Sequence, residues 1–152
     1  MGAQKEPELE ARLIRTVPRL MRHLLAHARR RPAWSEMTYQ QYNVLRIIDG
    51  EGPTLQAEIA RRLIVSAPVV TRLASALVEA GLIERGEDPN DRRAVILHLS
   101  DEGRRRSRQM RKELLAAAVE LLEPLPEEQR SAVAQAIEEL EVLLPGYRSG
   151  AR

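Results

Sequence analysis

The chain has 152 residues, 43% of them apolar and 30% charged, with a formal net charge of only +2 and no cysteine. That is enough chain for one domain or two small subdomains around a real core, and it excludes a disulfide scaffold, a thiolate metal site and any cysteine-based redox switch. No stretch approaches the ~18 consecutive apolar residues of a membrane span, and the N-terminus lacks the charged-then-apolar order of a signal peptide, so a cytoplasmic protein with no membrane partner is expected.

From residue 8 to residue 31 the apolar positions Leu9, Leu13, Val17, Leu20, Leu24 and Ala28 fall at three- and four-residue spacing, the pattern of an amphipathic helix. Pro18 lies inside it and predicts a kink, or a restart near Thr16. Thr38 then opens a second helix with a Thr-x-x-Gln capping box, burying Tyr42, Leu45 and Ile48. Gly50 to Pro53 break the chain, and Thr54 is placed to cap a third helix, LQAEIARRL. Ile64 and Val65 make a brief turn. Ser66 caps a fourth helix with Val70, Leu73, Leu77 and Val78 facing inward and Gly81 as its left-handed stop. Two short helices so joined, running into the extended segment LIER, form a helix-turn-helix.

Asp88, Pro89 and Asn90 supply turn chemistry, and residues 94–99 form the return strand, so the segment is a hairpin, a wing tipped by Arg92 and Arg93. Ser100 caps a long helix to about residue 123, and a final helix spans residues 126–144 with Val133, Ile137, Leu140 and Leu144 in register. The expected fold is mainly α with a small β-hairpin: a winged helix-turn-helix over residues 34–100, long N- and C-terminal helices over residues 1–33 and 101–148 serving dimerisation, and a tail over 149–152. The first and last helices carry more leucine, valine and isoleucine than a small winged domain covers, which calls for a second copy; an intramolecular bundle is the alternative.

With so small a net charge, any surface for a polyanion must come from sorting charges in space. Arginines cluster at residues 29–31, at 92–93 and between 104 and 112, whereas residues 113–141 are glutamate-rich, with Arg130 the single Lys or Arg among them. The arginine-rich start of the long helix scatters its charges around the axis and reads as a solvated face. A DNA major groove admits one helix, and a narrow minor groove attracts arginine. Ser66, Ala67, Pro68, Val69, Thr71 and Arg72 are therefore the candidate DNA contacts of the fourth helix, with Arg92 and Arg93 on the wing. A winged helix serving only protein contacts is the competing class. No nucleophile–base–orienter trio and no glycine-rich phosphate loop is present, so no enzyme is expected and no cofactor is implied.

The order of elements, with LQAEIARRLIVSAPVVTRLASALVEAGLIER followed by DPNDRRAVILHLSDEGR and two long helices, resembles the MarR family of bacterial transcription regulators over nearly the whole chain. Its most specific part is Asp91-x-Arg93 followed by the aliphatic strand and LSDEG. The resemblance implies that Arg93 enters the minor groove, that Asp91 braces the wing, and that the first and last helices build an obligate dimer on a palindromic operator, probing major grooves about 34 Å apart. It also implies an effector, often an aromatic acid, bound where the dimer helices meet the winged domain. The large amphipathic residues His23, His27, Trp34, Tyr42 and Arg46 are the candidate lining, Arg46 or a protonated histidine holding a carboxylate; Trp34 and Tyr42 as plain core is the alternative. His23 and His27 at i, i+4 could also begin a metal site, though no third ligand is evident and none is expected.

Overall fold

The computed structural model describes residues 8–144; the tail at 149–152, the first seven residues of the N-terminal dimerisation segment and the end of the C-terminal one lie outside them. The elements in order are α1 (Glu8–Ala28), a 3-10 turn (Pro32–Trp34), α2 (Tyr39–Glu51), β1 (Thr54–Leu55), α3 (Gln56–Leu63), α4 (Ala67–Glu79), β2 (Ile83–Glu87), β3 (Val95–Leu99), α5 (Asp101–Leu122) and α6 (Glu127–Leu143). The chain divides after Ala117 into two compact units, so α5 belongs to the first for most of its length. No helix among the described residues is long and apolar enough to cross a membrane.

Local sequence accounts for most boundaries. At Thr38 the side chain accepts from the Gln41 amide at 3.1 Å while the Gln41 side chain accepts from the Thr38 amide at 2.8 Å, completing the expected capping box. Gly81 ends α4 at φ 71°, where the Leu82 amide donates to the Leu77 carbonyl and the Gly81 amide to the Val78 carbonyl, the paired bonds of a Schellman stop. Ser100 caps α5, its Oγ accepting from the Gly103 amide at 3.0 Å and donating to the Gly81 carbonyl at 2.7 Å.

Several expectations are corrected. Helix α1 ends at Ala28 and runs through Pro18 without a restart; Pro18 and Ile14 are exposed, so water can satisfy the carbonyl that the missing N–H leaves free. Thr54 does not cap α3. It pairs with Leu97 as part of β1, making the expected hairpin a three-stranded antiparallel sheet in the order β1-β3-β2, and its hydroxyl donates to the Gly52 carbonyl. Ser66 holds the N-cap position of α4 without a side-chain cap bond. Val78 is exposed, and Ala74 takes the buried place expected of it.

The α3 stop repeats the bonding of the α4 stop: the Val65 amide donates to the Ala60 carbonyl and the Ile64 amide to the Arg61 carbonyl. Here the left-handed residue is Ile64, at φ 54° and ψ 47°, a conformation that costs a residue bearing a Cβ about 1–2 kcal/mol.

The core of the first unit gathers Trp34, Leu45, Ile48, Ile59, Val70, Leu77, Ile83, Leu97 and Met110 from the helices and both long strands. Helix α5 presents Gly103, Ser107, Met110, Glu113 and Ala117 to the interior at helical spacing. It also clasps the 3-10 turn. Trp34 Nε1 donates to the Met110 carbonyl at 3.0 Å, the Ala33 amide donates to the buried Glu113 carboxylate at 3.2 Å, and Arg106 donates to the carbonyls of Ala33 and Ser35 at 2.5 and 2.8 Å. Along α1, by contrast, Leu9, Leu13, Ile14, Val17 and Leu20 are exposed, and α6 buries none of its residues.

Candidate nucleic-acid interface

The start of α4 stands clear of the core. Ser66, Ala67, Pro68, Thr71 and Arg72 are exposed and Val69 is half-buried. The carbonyl of Ser66 accepts from the Val69 and Val70 amides and Pro68 has no N–H, which leaves the Ala67 N–H and the Ser66 hydroxyl presented at the helix tip. Thr71 is more constrained than its sequence position suggests: its hydroxyl donates to the Ala67 carbonyl at 3.0 Å and accepts from Gln56 Nε2 of α3 at 2.8 Å. On the same face Arg85 of β2 donates to Ser75 Oγ at 2.7 Å and to the Thr71 carbonyl at 3.4 Å. Gln56, Ser75 and Arg85 thus join the surface around Thr71, although sequence reading singled out none of them. These are contacts between elements and leave no local pattern.

The wing turn closes through main-chain bonds, with the Asp91 amide donating to the Asp88 carbonyl, the Ala94 amide to the Asp91 carbonyl and the Asp88 amide to the Ala94 carbonyl. Two carboxylates tighten it, Asp88 accepting from the Asn90 amide at 2.8 Å and Asp91 from the Arg93 amide at 2.9 Å. Asp91 therefore fixes the backbone of the arginine two residues on, and Arg92 and Arg93 project into solvent.

Charge divides this surface. On α3, Glu58 receives both Arg61, at 2.6 and 2.9 Å, and Arg62, at 2.7 Å, and Arg62 also reaches Glu51. The hydrogen bond from Arg61, reinforced by that from Arg62, pulls the Glu58 pKa down to about 2, so this cluster stays ionised and internally neutralised in ordinary buffers. The guanidiniums of Arg72, Arg92 and Arg93 have no carboxylate partner among the described residues.

The residues considered for an effector are dispersed in burial. Trp34 is 1% exposed and Tyr42 4%, their rings 5.1 Å apart within the core. His23 is exposed and His27 half-buried, with ring centroids 4.3 Å apart and His27 Nδ1 3.0 Å from the His23 carbonyl; Arg46 is half-buried. Two grooves of the first unit, of about 470 and 530 Å³, take no side chain from this set. Among the described residues no group of three or more His, Asp or Glu side chains is placed to hold a metal ion, which leaves His23 and His27 as a pair.

The MarR family model matches residues 35–94, the segment from just after the 3-10 turn to the wing turn that precedes β3. Over that segment the chain is similar to the MarR family. Among the curated relatives, the HTH-type transcriptional regulator YpoP of Bacillus subtilis is 35% identical over 68 residues, 45% of this chain and 48% of that protein. The curated relatives matched are covered over 40% to 65% of their own lengths. Among solved structures, apo MarR of E. coli superposes with a TM-score of 0.74 at 24% identity, covering 86% of this chain and 95% of that one. The PcaV transcriptional regulator of Streptomyces coelicolor, solved with its natural ligand, gives 0.64 at 24% identity over 93% and 97%. These superpositions show that the chain shares the fold of those regulators; the curated relatives matched are named as transcriptional regulators.

Proposed function

We propose that the protein is a dimeric transcription regulator that binds a palindromic duplex DNA site, acting as a repressor. The observation that carries this reading is the exposed pairing of the α4 tip with a wing whose arginines have no carboxylate partner among the described residues, on a surface where α3 has already neutralised its own arginines. The α4 tip suits major-groove edges and phosphates, and Arg93, held by Asp91, suits the minor groove. A second copy is supported by the apolar residues left exposed along α1 and α6. Protection mapping on DNA flanking the coding region identifies the site. On that duplex Arg93→Ala is expected to weaken binding by about 1–3 kcal/mol with an unchanged melting temperature. Wild-type affinity of the variant at moderate salt overturns the wing assignment, and binding insensitive to salt overturns the DNA reading itself.

The same reading includes an effector, a small aromatic acid whose carboxylate is held by Arg46 with His23 and His27. Its support is the amphipathic residue set together with the absence of cysteine, which removes thiol oxidation as a switch. A ligand releases DNA only by binding the DNA-incompetent spacing more tightly, so DNA must weaken the ligand by the same factor. Calorimetry with a panel including salicylate, on free and DNA-bound protein, is expected to show tighter binding to the free form. Equal affinity in both states, or no effect of Arg46→Ala combined with His23→Ala, rules the switch out.

A further inference from the structure

The chain uses one helix stop twice. After α4 the left-handed position is Gly81 at φ 71°, the residue for which that conformation carries no steric penalty; after α3, with the same pair of closing hydrogen bonds, it is Ile64 at φ 54°. A β-branched side chain is among the worst choices there, since its Cβ crowds the following carbonyl and its rotamers are already restricted. Burial does not compensate. Ile64 is 91% exposed, the highest value among the exposed large apolar residues of the described chain. Single exposed apolar residues are ordinary and carry no argument by themselves. An exposed apolar residue whose backbone is also strained is different, because both features count against the isolated chain.

Ile64 lies two residues before Ser66, in the turn that leads into the exposed tip of α4. We infer that Ile64 is a DNA-contacting residue, whose side chain packs on an apolar carbon of the duplex, either a thymine methyl or a deoxyribose, beside the groove entered by α4. The inference rests on the DNA-binding reading above. Duplex DNA offers apolar surface in these two places within reach of a helix tip, and contact with either gives back on binding what the strained, solvated side chain forgoes in the free protein.

The test sets stability and affinity against each other in the full-length protein on the duplex found by protection mapping. Ile64→Gly relieves the backbone and removes no buried surface, so its melting temperature is expected to rise by roughly 2–6 °C. Its affinity for the duplex is expected to fall about five- to thirtyfold. Ile64→Leu keeps the apolar group without the β-branch and is expected to hold affinity near wild type. Replacing thymine by deoxyuridine across the footprint separates the two sources. If the methyl is the contact, wild type drops to the level of Ile64→Gly and the variant is unaffected; if the sugar is, wild type is indifferent while the loss in Ile64→Gly persists. Equal binding by wild type and Ile64→Gly, or a loss in Ile64→Leu as large as in Ile64→Gly, overturns the inference with the DNA-binding reading intact. Failure of wild type to bind any duplex in a salt-dependent way overturns that reading instead.

Discussion

Replacing Gly103 with alanine is expected to destabilise the first unit by about 3 kcal/mol, seen as a lower urea midpoint with an unchanged slope. A Cβ on Gly103 would sit 1.9 Å from the Leu82 carbonyl oxygen and 2.9 Å from its carbon. These are main-chain atoms and cannot rotate aside. That carbonyl also accepts from the Ser100 amide at 3.1 Å, while the Leu82 amide closes the α4 stop on Leu77, so any shift that admits a methyl group breaks bonds on both sides. The glycine of the LSDEG sequence is thus required by a close approach of helix to backbone, not by an unusual φ. Gly50, inside α2 with nothing within 4 Å of a built Cβ, is the control. Gly50→Ala is expected to stabilise by about 0.5–1 kcal/mol. If Gly103→Ala melts like wild type, α5 does not dock as described.

Deleting residues 126–152 is expected to leave a chain that aggregates or loses cooperative unfolding. For a monomer the same deletion would be nearly neutral, because α6 buries none of its residues within a single chain. The large expected effect arises only if Val133, Ile137 and Leu140, with the apolar residues of α1, are covered by a second copy, so that folding and association are one event. Sedimentation and the protein-concentration dependence of melting check it. A truncated chain that remains a soluble, cooperatively folding monomer overturns the dimer.

What could be read from the sequence was what is local along it. The Thr38–Gln41 box, the Gly81 stop and the Ser100 cap each lie within a few residues of their partners, and the wing turn announces itself through Asp88, Pro89 and Asn90. The structure departs from the sequence reading where distant segments meet. Thr54 resembles a cap because it precedes an apolar helix, yet pairing with Leu97, more than forty residues away, draws it into a strand. Gln56 of α3 and Arg85 of β2 converge on Thr71 and Ser75 of α4 with no shared motif. Trp34 carried an ambiguous signal, a large aromatic in a loop, and only its bond to the Met110 carbonyl places it in the core. The left-handed turn at Ile64 was invisible because glycine is the residue that ordinarily marks such a position.

The clasp between α5 and the 3-10 turn divides its partners unequally. Arg106 and Glu113 grip main-chain atoms of Ala33 and Ser35, which every residue except proline at the amide would supply equally well. Divergence at positions 33 and 35 is therefore filtered by size and burial alone, whereas Arg106 and Glu113 must keep reach, planarity and charge. Lysine at 106 would forfeit the fork that spans two carbonyls, and glutamine at 113 could still accept from Ala33 but would lose its charge. Trp34 reverses the relation, with its own side chain doing the gripping and the Met110 backbone held. Descendants of this chain should accordingly vary at 33 and 35 long before they vary at 34, 106 and 113.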